Sequence, residues 1–343
     1  MSVATAKAQQ VPRRWAVIVL TVLGLGLIAA PAIFQMFDRA PKGAVMIKGF
    51  KPFMTDARMN SFKRDISQIQ KGVQQGDTQV AAFLEGPNGK AKFNSKYSNF
   101  AAFVTTWKPI NADMNSMLDQ IQGQIPDYEA VAALPPFGLF PWFFVIPGVL
   151  LVLLGLLALA KPTWWTKLRW GFVALGIGLI LAPVAFQMFD RAPKGAKMIT
   201  AFKTIETRKK VETIQGYFGE IAAGQGSVRL DLIPALQAKG LTEQQIATRF
   251  PDIQTLDQQW ISTLQNLTPM IGAMSDNVVN YEAVKALPPF TLFPWFFVIP
   301  GLMALALAFL AGRRFSAEAE TDDQISPPLS NPNPTNHQTQ GAS

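Results

Sequence analysis

The chain has 343 residues, 49% hydrophobic and 16% charged, with 31 Lys and Arg against 23 Asp and Glu. Its mean hydropathy is +0.18, which excludes a disordered chain. The absence of Cys excludes a disulfide-stapled fold and Cys-ligated zinc or iron–sulfur centres.

In chain order, a basic start (1–14) carries Lys7, Arg13 and Arg14. It precedes an uncharged stretch, 15–37, that is long enough to cross a bilayer, which takes about 20 apolar residues in a helix. The same holds for 137–160, 170–189 and 290–312, none of which contains an ionisable residue. Lys161, Lys167 and Arg169 fill the link 161–169, and Arg313 and Arg314 follow the fourth stretch. If the spans alternate, all these cations fall on one side, so the positive-inside rule puts both termini in the cytoplasm. The segments 38–136 and 190–289 are then extracytoplasmic. The first span has the basic start and small residues of a signal peptide, but its mid-chain counterpart ends alike, and both are read as retained anchors. The net charge of +8 thus reflects topology and does not call for nucleic acid.

One unit is written twice. Residues 30–51 and 182–203 agree at 17 of 22 positions, and 128–148 and 281–301 at 19 of 21. The nearly constant offset marks duplication of the whole unit, 15–160 and 170–312. The expected fold is therefore an all-α membrane protein. It has four transmembrane helices and two extracytoplasmic helical bundles, forming an internal pseudo-dimer about an axis along the membrane normal.

Directly after the first and third spans stand Asp38–Gly43 and Asp190–Gly195, both reading Asp-Arg-Ala-Pro-Lys-Gly. This composition suits a turn, with Arg39, Lys42, Arg191 and Lys194 reaching lipid headgroups. Inside the spans, Gly26 with Ala30, and Gly178 with Ala182, are four apart, the spacing that lets helices approach closely.

Each outer segment carries apolar stripes at helical spacing. The first has Met59, Phe62, Ile66, Ile69 and Val73, then Ile110 to Ile125; the second has Val211 to Ile221 and Ile253 to Leu267. Three or four helices per segment are expected. Turns are predicted at Gly86–Gly89 and Gly224–Ser227, and a capping box at Thr242 and Gln245. Trp107 and Trp260 occupy matching stripe positions and are read as core. The copies diverge most near 77–96 and 224–245, where partner contacts are expected.

Before the second and fourth spans, Phe140, Trp142 and Phe143, with Phe293, Trp295 and Phe296, form an expected interfacial aromatic belt. Pro135-Pro136 and Pro147-Gly148, with their copies, are expected to break or bend the descending helix. The tail 313–343, rich in Ser, Pro and Asn, reads as disordered.

No catalytic set emerges. The single His, His337, lies in the tail, so the usual general base is missing, as are a phosphate loop and a calcium loop. No enzyme activity, cofactor or metal is expected. The partners expected are membrane lipids and other membrane or envelope proteins. The leading function is a scaffold or accessory subunit. An apolar-ligand or transport-accessory module is the first alternative, and a sensor ectodomain working through a partner the second.

Overall fold

The structure is a computed structural model that describes residues 13–311; the expectations for Lys7, Arg313, Arg314, His337 and the tail lie outside it. All regular elements among the described residues are helical. In chain order they are α1 (Arg14–Ile33), α2 (Met36–Phe50), α3 (Asp56–Gln75), α4 (Ala81–Glu85), α5 (Lys90–Lys96), α6 (Ser98–Gln122), α7 (Ile125–Ala132) and α8 (Phe140–Ala160). The second half follows with α9 (Trp165–Ala185), α10 (Met188–Phe202), α11 (Arg208–Ser227), α12 (Ile233–Ala238), α13 (Glu243–Arg249), α14 (Pro251–Gln258), α15 (Trp260–Lys285) and α16 (Trp295–Leu310).

Four helical stretches are long and apolar enough to cross a membrane: 14–33, 137–160, 162–185 and 290–310. The protein is therefore described as a membrane protein. On α1, Trp15, Ile18, Val22 and Leu25 are between 50% and 59% exposed. An apolar face of that size is stable in lipid and a liability in water. The opposite face is buried: α1 packs along α8 and α9 along α16, with lighter α1–α16 and α8–α9 contacts closing the group.

The close approaches fall on different glycines from those expected. A Cβ on Gly26 or Gly178 would meet nothing within 4 Å. One on Gly24 would lie 2.7 Å from the Gly148 carbonyl oxygen, and one on Gly176 would lie 2.9 Å from that of Gly301. Gly24 and Gly26 are about 200° apart around a helix of 3.6 residues per turn, so only one of them can face the partner. Ala30 and Ala182 are half-buried.

The first span ends earlier than expected, at Ile33. Gln35 takes the left-handed conformation at φ 53°, as does Gln187, and the two-residue breaks Phe34-Gln35 and Phe186-Gln187 separate span from body. The segments 38–43 and 190–195 are accordingly helical rather than turns. Asp38 and Asp190 sit in the first turns of α2 and α10, where an acid is favoured by the helix dipole. Each also pairs one turn on, with Lys42 at 2.8 Å and Lys194 at 2.7 Å. Those i,i+4 pairs support helix.

Between the spans the two halves share one body. Within halves, α3 packs on α6 and α11 on α15. Across halves, α2 packs along α15, α7 along α10, α3 on α14 and α6 on α11. Each segment contributes six helices, more than expected, and they interleave instead of closing as two bundles. The apolar stripes form the core: Met59, Phe62, Ile66 and Ile69 on α3 are at most 3% exposed, and Ile253 and Leu256 on α14 are also buried. Thr55 and Thr207 cap α3 and α11, and the Thr242–Gln245 capping box is present. The Gly86–Gly89 turn is present too, with Gly86 at φ 83°. Gly224–Ser227, however, is helical and runs into a π-helical turn, Val228–Leu232; Gly76–Val80 is a π turn at the matching place.

Candidate functional site

Two features stand at the junction of spans and body: an aromatic collar with a groove beside it, and a small apolar cavity nearby. The Pro135-Pro136 and Pro288-Pro289 pairs end α7 and α15, and short 3-10 turns at Phe137–Leu139 and Phe290–Leu292 lead into the spans. A proline lacks the amide a continuing helix requires, which places the break there. Pro147 and Pro300 lie inside α8 and α16, which continue past them.

The collar has two layers. Phe140 and Phe293, each 3% exposed, meet edge to face at 5.7 Å. Phe144 and Phe297 meet at 4.7 Å, and Phe137 and Phe290 at 5.7 Å. Corresponding residues of the two halves therefore touch each other. Phe140 and Phe293 belong to this inner contact and not to an interfacial belt. Trp142 and Trp295, 49% and 48% exposed, face outward and pack edge-on against Phe37 and Phe189, each at 5.7 Å. Phe143 and Phe296, half-buried, bridge to Phe186 and Phe34 of the other half.

A groove of about 210 Å³ opens between α1 and α16, lined by Leu27, Phe34, Phe144, Phe293, Trp295 and Ile299 among others, all apolar. Its walls come from helices that are long and apolar enough to cross a membrane.

Above the collar, the four cations assigned to headgroups from the sequence bind within the protein. Arg39 donates from Nη1 to the Ala286 carbonyl at 2.8 Å, and Arg191 donates from Nη1 to the Ala133 carbonyl at 2.7 Å. Ala286 and Ala133 are the C-caps of α15 and α7. A guanidinium there satisfies a free terminal carbonyl and faces the negative end of the helix dipole. Lys42 and Lys194 hold their own-helix aspartates, as described above.

The small cavity lies where α2 and α10 meet the tyrosines of both halves. Tyr128 donates to the Ile47 carbonyl and Tyr281 to the Ile199 carbonyl, both at 2.7 Å. Burial pushes both phenols up to about 12, with the Glu282 and Glu206 charges adding to Tyr281. Glu206 lines the cavity; neither of its carboxyl oxygens has a hydrogen-bond partner among the described residues. Nothing in the sequence motifs marked Glu206. The available signal is a comparison just past the repeated stretch, where Glu206 stands opposite Met54.

Of the two stripe tryptophans, Trp107 is buried and donates from Nε1 to Gln70 Oε1 at 2.7 Å. Trp260 is half-buried at the start of α15. Among the described residues there is no group of three His, Asp or Glu side chains able to hold a metal. No protein-family profile matches the chain, and no curated protein matches it in sequence.

Proposed function

We propose that this protein is a non-enzymatic, multi-pass scaffold or accessory subunit of the cell envelope. In this reading, two copies of a span–bundle–span unit cross the cytoplasmic membrane in the same direction. Both termini are cytoplasmic, and the copies interlock outside about a pseudo-two-fold axis along the membrane normal. The observation that carries the reading is the reciprocal exchange of contacts, α2 with α15 and α10 with α7, sealed by Arg39 and Arg191. A body locked at matched points is a rigid platform for larger partners. Its distal ends hold the two π turns, which are uncommon and often sit at functional places. Leu230 on the second is 74% exposed, a suitable partner contact.

The test is crosslinking in native membranes from a photoreactive side chain at position 230, read by mass spectrometry. The expected result is one recurring membrane or envelope protein. Turnover of a substrate by the purified chain alone, or an empty crosslink profile, overturns the reading.

The α1–α16 groove supports a second reading, a module that seats a lipid chain. Native mass spectrometry should then show a lipid bound stoichiometrically, and replacing Ala30 at the groove with Trp should displace it. Retention of the same lipid by that variant counts against this reading.

A further inference from the structure

A second groove, of about 660 Å³, is lined by residues of the first half alone, between α2, α7 and the Pro135-Pro136 break. Much of its wall is apolar, with Ala44 and Ile47 on α2, Val131 on α7 and Leu134 beyond it. Tyr128 of α7 donates to the Ile47 carbonyl at 2.7 Å, which ties the two walls together and fixes their separation. Three charged side chains line the groove: Lys48, Lys51 and Glu129. They leave one net positive charge, and all three are exposed. Lys42 holds Asp38, whereas neither Lys48 nor Lys51 is ion-paired among the described residues.

The groove starts where the stretch 137–160 starts. Phe137 lies beside Gly43 of α2, 3.6 Å from where a Cβ would stand. Lys48 and Lys51 follow further along the chain, at most about 8 and 12 Å beyond Gly43 at a rise of 1.5 Å per residue. In a bilayer, the headgroup layer extends about 5–8 Å past the hydrocarbon on each side. Lys48 therefore stands at the height of lipid phosphates and Lys51 just above, within reach of a flexible side chain. The wall below them is apolar down to Phe137.

The second half has the same frame with a different surface. Thr200 stands in place of Lys48, and Lys285 in place of Ala132. Lys285 reaches Glu282, the counterpart of Glu129, at 3.4 Å, and lies 6.0 Å from the ring centre of Tyr281, the counterpart of Tyr128. The second half thus has one cation fewer on α2 and a long side chain where the first half has a methyl. We propose that the first-half groove is a binding site for an anionic phospholipid of the adjoining leaflet. Lys48 and Lys51 meet its phosphate as point charges, and an acyl chain lies along Ala44, Val131 and Leu134 toward Phe137. The single net charge matches a head bearing one negative charge. The site is separate from the α1–α16 groove and depends on neither the scaffold nor the lipid-chain reading.

The test is native mass spectrometry of the full chain in neutral detergent, titrated with phosphatidylglycerol or with phosphatidylcholine of the same acyl chains. Phosphatidylglycerol should bind about tenfold or more tighter. Lys48→Thr, which copies the second half, and Lys51→Gln should each weaken it about fivefold and leave phosphatidylcholine binding unchanged. Ala132→Lys also copies the second half, so its thermal unfolding should stay close to that of the parent while both lipids bind more weakly. Ala30→Trp, in the α1–α16 groove, should leave the preference intact. Equal affinity for the two lipids overturns the proposal. So does phosphatidylglycerol binding that is unchanged in the combined Lys48→Thr and Lys51→Gln variant, or a preference abolished by Ala30→Trp; the two lysines are then solvated surface charges.

Discussion

Lys210 of α11 lies 2.6 Å from both carboxylate oxygens of Asp113 on α6, joining the two halves of the chain. Tyr217, two turns along α11, donates to the same carboxylate at 2.8 Å. Burial alone would raise the Asp113 pKa, but the hydrogen bonds from Lys210 and Tyr217 outweigh it and hold the group below its ordinary 3.8. Because the folded value is the lower one, this stabilisation is present above about pH 4 and is lost as pH falls through that range. Asp113→Asn should cost about 1 kcal/mol, a figure reduced for partial exposure and solvent screening. Urea unfolding at neutral pH, with and without added salt, checks it; a cost that grows with salt contradicts the assignment.

The span contact makes a sharper prediction. Gly148→Ala places a methyl 2.8 Å from the Gly24 carbonyl oxygen, and neither backbone can move without the other. The loss should be about 1–3 kcal/mol, the range for overpacked contacts. Gly26→Ala meets open space and should be neutral or slightly stabilising, since Ala is the better helix former by about 1 kcal/mol. Thermal melts of the two variants in the same detergent should separate them clearly, and equal melts would refute the packing.

Removing either arginine seal should have nearly the same consequence. Arg39→Ala frees the Ala286 carbonyl and Arg191→Ala frees that of Ala133, each at a cost of about 1 kcal/mol. The loosening should be local, raising hydrogen exchange at the C-terminal turn of α15 in the first variant and of α7 in the second. Exchange that rises at α2 or α10 alone would show that the guanidinium does not hold the opposite half.

Glu206 predicts an unusual pH response. Burial raises its pKa from 4.5 to about 8. Below 4.5 both folded and unfolded chains hold the proton. Between 4.5 and 8 the unfolded chain releases it while the folded chain retains it, so stability falls with rising pH by about 1.4 kcal/mol per unit. Above 8 the loss is complete. Denaturation of the protein at about pH 5, 6.5 and 8, compared with Glu206→Gln, isolates this slope. A parent and variant that run parallel across the window would contradict it.

Much of the fold was readable from periodicity and hydropathy. Uncharged runs mark the spans because the bilayer core admits little else, and the stripe from Met59 to Val73 names the face of α3 that is buried. A stripe does not name what covers it. The same residues would serve a bundle closed within one half or one shared between halves, and cross-half pairing such as Lys210 with Asp113 appears only in three dimensions. The glycines were misplaced for a related reason: Gly24 and Gly26 are equal in composition, and only the position of α8 distinguishes them. The Asp-Arg-Ala-Pro-Lys-Gly segments carry turn residues, yet the i,i+4 acid–base spacing within them favours helix. Glu206 was hidden because it breaks a local rule without belonging to any motif, and such breaks are expected where function or strain resides.

Arg39 and the carbonyl it grips are 247 residues apart in the chain. During synthesis the first half therefore leaves the ribosome with α2, α3 and α6 lacking the surfaces that later cover them. Those surfaces come from the second half. A chain truncated after α8 would leave those faces without the helices that cover them in the whole protein.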